Sequence, residues 1–332
     1  MMEGPVAELG PAAAEERRRP IRALHLVILA ALLAAQFVAS PFQRSLLARI
    51  MVLGAYAAGY NVLVGYTGLM SLGHAMFFAA GMYATGLLTY YAGAGAAAAF
   101  AAGLAASVVV SIVVGVIALR TSGVAFLIVT LMFAQVFYLT ALYFNRITGG
   151  DQGLILAGRL APLRLGSLEV PFTDPAVRYN LALGVFAACF LLTLWLVRSP
   201  VGRVLIAVRE NEERTRMLGY NTFAYKLVAL VVSGGLSGMA GGGYTLLFSY
   251  LGASFASVLF SIYPLLWTLL GGAGTTIGPL VGTAVMTYLL DLASGVTDSY
   301  LIVVGVALVL IAIRFPAGIM GTIRARWARW LP

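Results

Sequence analysis

Few residues in this chain could carry chemistry. Two histidines, His25 and His74, one cysteine, Cys189, and one lysine, Lys226, stand among 332 residues. A phosphate-binding loop needs a lysine directly after Gly-x-x-x-x-Gly to reach the phosphates. Lys226 sits in Phe223-Ala224-Tyr225-Lys226-Leu227, without those glycines, so ATP hydrolysis of that kind is excluded. The sequence offers no paired aspartates and no histidine-rich cluster. No catalytic residue, resident cofactor or metal ligand set is therefore expected, and a lone cysteine builds no disulfide framework. Of twelve carboxylates, four lie in 1–20, three in 145–178 and three in 198–226. Only Asp291 and Asp298 remain, both near an expected turn. Coupling to protons or cations needs carboxylates at membrane depth, which disfavours a carboxylate-driven secondary transporter. Transport through backbone carbonyls at broken helices stays open.

The elements that position these residues follow from composition. The chain is 61% hydrophobic and 10% charged, against roughly 25% charged in a soluble domain. It reads as an all-α polytopic membrane protein. The net charge of +9 is no sign of nucleic acid binding, because basic patches are not interleaved with aromatic platforms. No charged residue occurs in 50–119, 121–145, 179–197, 227–290 or 299–313. A spanning helix takes about 20 apolar residues, so the two long stretches hold three spans each and the others one. With the run at 23–39 this makes about ten transmembrane helices. Arg17, Arg18, Arg19 and Arg22 precede the first, and Arg324, Arg326 and Arg329 follow the last. Basic flanks favour the cytoplasm, so both termini belong there and the number of spans is even. That places the loop 145–178 outside and the loop 198–226 inside. Residues 1–20 read as a disordered cytoplasmic tail, 21–315 as the transmembrane domain and 316–332 as a basic cytoplasmic tail. Val38-Ala39-Ser40 could be a signal-peptide cleavage site, but the preceding run is already long enough to span.

Four motifs interrupt the apolar pattern. In 61–74, Thr67, Gly68, Ser71, Gly73 and His74 break an apolar run. Unwound backbone at membrane depth must line a cavity or be buried in protein, so this is either a pathway wall with His74 at its edge or a tight interhelical turn. Gly234, Gly238 and Gly242 lie on one helix face and admit a close neighbour, from this chain or another. The glycines of 271–279 read as a turn between two short spans, since no basic residue accompanies them for phosphate binding. In 198–220, Pro200 suits a helix's first turn and Gly219 the position past its end. Glu210–Arg214 and Glu212–Arg216 have the favourable i,i+4 order, which predicts a helix over about 203–218. Its apolar first half, with Val204 and Leu205, suits docking on a partner protein or lying on the membrane surface.

These motifs, in this order, resemble a known family. The 198–220 segment is similar to the coupling loop of ABC importer permeases. Tyr60-Asn61-Val-Leu-Val-Gly-Tyr-Thr-Gly-Leu-Met-Ser-Leu-Gly-His74 looks like the signature of LivM-type branched-chain amino acid permeases. Thr148-Gly149-Gly150-Asp151-Gln152-Gly153-Leu154 resembles their outer loop, 269–279 their Gly-Gly-x-Gly…Gly-Pro element, and Arg314-Phe315-Pro316-Ala317-Gly318-Ile319 their C-terminal element. The Glu-Ala-Ala stretch of the coupling loop is not literal here, and Asp151 replaces a small polar residue. The resemblance implies a type II ABC importer permease in the bacterial inner membrane, moving branched-chain or related amino acids inward. The family also includes permeases for urea and short amides. Implied partners are a LivH-type second permease, two ABC ATPase subunits holding ATP and Mg, and an extracytoplasmic substrate-binding protein. Arg203, Arg209, Glu210 and Glu213 would contact the ATPase, with Val204 and Leu205 as the apolar knob and Gly219 ending the segment. Thr67, Gly68, Ser71, Gly73 and His74 would border the substrate pathway, and Gly149, Gly150 and Asp151 would form the outer loop.

Overall fold

The computed structural model describes residues 11–326 except 161–162, 166–167, 171 and 173. In chain order the helices are α1 (Pro11–Val38), α2 (Pro41–Val64), α3 (Ala75–Ala92), α4 (Ala96–Ala118), α5 (Gly123–Tyr143), the single turn α6 (Asn145–Thr148), α7 (Pro175–Arg198), α8 (Pro200–Glu210), α9 (Glu212–Met217), α10 (Thr222–Phe248), α11 (Val258–Gly271), α12 (Gly278–Ser294), α13 (Tyr300–Arg314) and α14 (Ile319–Arg326). Four short strands pair antiparallel: β1 (Leu154–Ile155) with β4 (Tyr250–Leu251), and β2 (Leu163–Leu165) with β3 (Leu168–Val170).

Each charge-free stretch holds as many helices as spans were expected there, but fewer than ten of these are long and apolar enough to cross. Six helical segments are long and apolar enough to cross a membrane: Pro41–Val64, Ala96–Ala118, Gly123–Tyr143, Pro175–Arg198, Thr222–Phe248 and Tyr300–Arg326. The apolar helices Ala23–Val38 and Val258–Gly271 are shorter. At 1.5 Å per residue the 14 residues of α11 reach about 21 Å, less than the roughly 30 Å of a hydrocarbon core.

Two expectations about boundaries change. Helix α1 starts at Pro11, so 11–20 are helical where composition suggested a disordered tail. Their alanine, glutamate and arginine are strong helix formers and extend the apolar run backwards. Within the expected tail 316–332, α14 packs on α11 and α12, while 327–332, like 1–10 of the other tail, lie outside the described residues.

Helix α10 is the packing centre, in contact with α2, α3, α4 and α7. Lipid offers no hydrophobic drive for helix association, so close approach and interhelical hydrogen bonds must supply it. The glycine face does this within the chain. Gly234 and Gly238 lie against Ser111 and Ser107 of α4, and Gly242 against Thr85 of α3 and Phe100 of α4. Ser107 Oγ lies 3.1 Å from the Phe77 carbonyl and 2.6 Å from that of Gly234. Gly241 meets the Phe78 backbone and Gly81 the Gly238 carbonyl, so α3 and α10 touch main chain to main chain. Helices α11 and α12 meet the same way, through Gly271, Gly278 and Gly282. Pro264 lies inside α11 and has no N–H to offer the carbonyl four residues earlier. That carbonyl belongs to Phe260, and the Tyr56 hydroxyl of α2 donates to it at 3.4 Å.

Candidate functional site

Helix α2 ends at Val64, and residues 68–73 run non-helical before α3 starts at Ala75. This stretch turns back into the protein. Tyr60 donates its hydroxyl to the Ser71 carbonyl at 2.9 Å, one turn above the end of α2. Leu72 N–H donates to Thr130 Oγ1 of α5 at 3.3 Å, and Ala75 N–H to Ser261 Oγ of α11 at 2.9 Å. Gly73 backs directly onto the Thr130 carbonyl, where any side chain would collide. Ser71 and His74 are fully buried. The 71–74 half of the unwound segment is thus packed against protein, which is how such backbone is tolerated at depth, whereas Gly68 and Met70 are exposed. His74 lies between the rings of Tyr56, Tyr60 and Phe77, and its Nε2 is 3.1 Å from Ser233 Oγ. Ser233 in turn donates to the Gly59 carbonyl of α2. Thr67 is buried, with its hydroxyl donating to the Val62 carbonyl at 2.9 Å, and Gly68 is exposed with φ +75°.

Asn61, in the last turn of α2, fastens the loop 272–277 beside the start of the loop 65–74. Its Nδ2 donates to the Thr275 carbonyl at 2.9 Å, and its Oδ1 accepts from Gly274 N–H at 3.0 Å. An amide side chain can do both because it carries one acceptor and one donor end. Thr275 Oγ1 closes the second loop on itself, donating to the Gly272 carbonyl at 2.7 Å and accepting from Gly278 N–H at 3.1 Å. On the α1 side, His25 Nε2 lies 2.8 Å from Thr276 Oγ1. Two guanidinium groups then brace the junction. Arg209 of α8 donates to the Gly65 carbonyl, and Arg324 of α14 donates to the Gly274 carbonyl at 3.1 Å.

The segment expected as one helix over 203–218 is two. Ser199 caps α8, accepting from Gly202 N–H at 3.2 Å, with Pro200 in its first turn. Asn211 breaks the run in extended conformation (φ −161°) and caps α9, accepting from Arg214 N–H at 2.9 Å. The break separates Glu210 from Arg214, so among the described residues only the second i,i+4 pair forms, Glu212–Arg216 at 3.4 Å. Gly219 follows α9 with φ +88°. Leu205 is fully buried in the chain's own core and Val204 is half-buried. The apolar side chains left open on this face are instead Met217 and Leu218, 84% and 76% exposed. Arg203, Glu210, Glu213 and Arg214 are exposed around them, while Arg209 is partly taken up by Gly65.

Lys226 at the start of α10 fixes α9, with Nζ 2.6 Å from Glu212 Oε1. Partial burial raises the Glu212 carboxyl pKa. The hydrogen bond and charge of Lys226, helped by Thr222 and Arg216, outweigh this and carry it below its ordinary 4.5. A depressed carboxyl pKa stabilises the folded arrangement above the ordinary value, and that contribution is lost as pH falls through the lowered one. Hydrogen exchange of the 211–220 amides, corrected for intrinsic rates, should therefore accelerate on acidification below the ordinary glutamate range. In Lys226→Gln it should already be fast at neutral pH, with little further change in acid. Equal protection in both proteins at neutral pH would show that the pair does not hold α9.

At the opposite end of the bundle, Gly149, Gly150 and Gly153 adopt φ of +77°, +56° and +72°. Their turn brings β1 onto β4 and lets Ala253 N–H reach the Gly150 carbonyl at 3.4 Å. Asp151 is exposed at the tip. The candidate residues thus form three groups: 61–74 with Arg209 at one junction, the exposed α8–α9 face beside it, and the 149–151 turn far from both. Asn61 and Arg324 are junction residues that the motif reading did not single out. Asn61 is the only side-chain amide within the charge-free stretch 50–119, and that isolation was a usable signal.

Comparison with known proteins identifies the family. Residues 43–312 match the family described as branched-chain amino acid transport system / permease component. The chain is 28% identical over 283 residues to the high-affinity branched-chain amino acid transport system permease protein LivM of Escherichia coli (strain K12), and 26% identical to that of Salmonella typhimurium. Each alignment covers 79% of this chain and 66% of the relative, so the chain spans just under two thirds of their length. A probable branched-chain amino acid transport permease protein LivM of Methanocaldococcus jannaschii is 30% identical over 115 residues, covering 32% of this chain and 33% of that protein. No solved structure matches. With the greater part of its length matched by the family and several apolar helices able to span a bilayer, this multi-pass membrane chain belongs to the branched-chain amino acid transport system permease family.

Proposed function

We propose that the chain is a membrane-spanning permease subunit of an ATP-driven importer, moving branched-chain or related amino acids inward by alternating access. The observation that carries this reading is the bond from Arg209 of α8 to the Gly65 carbonyl, at the end of α2 where Asn61 holds the 272–277 loop. A partner that displaces α8–α9 would pull on the ends of α2 and α11 together. In this reading ten helices cross the inner membrane, both termini and α8–α9 are cytoplasmic, and the 149–151 turn faces outward. ATP and Mg are held by two ABC ATPase subunits that dock on Met217, Leu218 and the charges around them. A LivH-type permease completes the pathway, and an extracytoplasmic binding protein delivers the substrate. The unwound 68–74 segment and its neighbours Thr67, Ser71 and His74 form the wall that shifts when the junction opens, with His74 as its pivot among the aromatic rings.

The test is ATP-driven leucine uptake by proteoliposomes containing the assembled importer. Placing like charges at a docked surface costs several kcal/mol, so Glu210→Arg or Glu213→Arg should reduce uptake about tenfold or more. Arg209→Ala should leave the complex assembled and hydrolysing ATP but uncouple hydrolysis from uptake. Wild-type coupling in all three variants would remove α8–α9 from the mechanism.

A further inference from the structure

A cavity of about 370 Å³ lies between α2, α11, α12 and α13, away from the junction. Its lining is chemically mixed, unlike the almost wholly apolar groove between α3, α4 and α5. Arg49 contributes from α2 and Asp291 from α12, while Phe260, Tyr263 and Trp267 of α11 form an aromatic wall. Arg49 is the ninth residue of α2, about 12 Å along that helix. A cation there is expensive in a bilayer and marks function by default.

The two charges face the same space without neutralising each other. Neither side chain makes an ion pair or hydrogen bond among the described residues, whose carboxylate pairs lie in the 209–226 region. The wall behind them is rigid. Tyr263 stacks on Trp267 at 5.9 Å, Tyr56 meets the edge of Trp267 at 6.4 Å, and Tyr56 stacks on Phe260 at 5.4 Å. The Tyr56 hydroxyl also secures the Phe260 carbonyl that Pro264 leaves free. Trp267 is 5% exposed, and its buried indole N–H has no acceptor among the described residues. Arg49 and Asp291 are both exposed and so within reach of a ligand, and with the aromatic wall they offer a cation, an anion and an apolar surface in one space.

We infer that this cavity is a binding site for a zwitterionic amino acid with an apolar side chain. Arg49 receives the carboxylate, Asp291 receives the ammonium group, and the side chain lies against Tyr263, Trp267 and Phe260. Each ligand charge meets its opposite, and the apolar remainder displaces water from the rings. The site deepens the reading of the chain as an amino acid permease and rests on it. It would hold the substrate after release from outside and before the junction opens.

The experiment titrates ligand into the assembled permease complex in nanodiscs, without the binding protein. Tryptophan emission is the readout, with Trp267→Phe as the blank. Three probes are used: leucine, leucinol, which lacks the carboxylate, and 4-methylpentanoate, which lacks the ammonium group. Both charges are exposed to the cavity, so removing either ligand contact should raise the Kd for leucine about fivefold to tenfold in Arg49→Gln and in Asp291→Asn, near the lower end of the range for a charge-assisted hydrogen bond. Arg49→Gln should leave leucinol binding unchanged, and Asp291→Asn should leave 4-methylpentanoate binding unchanged. That crossed selectivity separates a ligand contact from a folding defect, which would weaken all probes alike. Wild-type affinity for leucine in both variants, or equal loss of all three probes, would overturn the site. ATP-driven uptake by wild-type proteoliposomes is measured alongside. Leucine uptake with unchanged binding in the variants would reject the site alone, whereas no uptake of any amino acid would reject the permease reading and the site with it.

Discussion

Asn61→Leu should destabilise the folded chain by about 2–6 kcal/mol, because it strands two buried backbone groups that each cost about 1–3 kcal/mol without a partner. The groups are Gly274 N–H and the Thr275 carbonyl, both held by the Asn61 amide. Leucine has the same number of side-chain heavy atoms as asparagine and favours a helix more, so the loss is not one of helix propensity. No water can easily stand in: Asn61 is 0% exposed, and its Oδ1 already crowds Gly65. Asn61→Asp should not rescue. It retains the acceptor for Gly274 N–H but offers the Thr275 carbonyl a second acceptor and brings in a buried charge. Thermal unfolding in detergent and limited proteolysis at 272–277 give the readout. An unchanged melting temperature in Asn61→Leu would mean that the junction is held without this side chain.

The second large effect is expected at the α3–α10 contact. A methyl group at Gly241 would overlap the carbonyl of Phe78, and one at Gly81 the carbonyl of Gly238. Backbone cannot rotate away as a side chain can. Helix α3 has no room to retreat, because Gly103 of α4 sits against the Gly81 carbonyl and Thr85 on another side. Gly241→Ala should therefore reach or exceed the top of the usual overpacking range of about 1–3 kcal/mol, and Gly241→Val should prevent assembly of the bundle. Gly305→Ala in α13 and Gly184→Ala in α7 are the controls. Nothing lies within 4 Å of a Cβ at either position, and alanine favours a helix over glycine by about 1 kcal/mol. The sequence of melting temperatures should be Gly184→Ala and Gly305→Ala at or above wild type, then Gly241→Ala well below. Equal stability of Gly241→Ala and the controls would contradict the backbone contact.

The gross layout was legible because charge and lipid are incompatible: the positions of Arg120, Arg146, Arg198 and Asp291 alone bracket most of the helices. The break at 65–74 was legible for a related reason, since Thr67, Gly68, Ser71 and Gly73 have no place in a lipid-facing helix. The division of α8 from α9 could have been read as well. Asn211 precedes Glu212 and Glu213, the usual order of a helix cap followed by an acidic first turn, but the i,i+4 pattern of Glu210 and Arg214 masked it. What escaped were relations between distant segments. Leu205 belongs to an amphipathic helix whose inward face depends on where α8 lies, so its burial could not be separated from exposure to a partner. Arg324 counted only as a marker of sidedness, although its target is a carbonyl fifty positions away. Asp291 read only as a charge near an expected turn, and nothing in the pattern linked it to Arg49 until the fold set them across one space.

The two braces on the junction have a mechanical consequence. Arg209 and Arg324 come from separate helices and seize separate carbonyls, yet Asn61 ties the loops that carry those carbonyls. The three fastenings converge on one small junction, so a tug on α8 and a tug on α14 bear on the same few residues rather than on separate parts of the bundle.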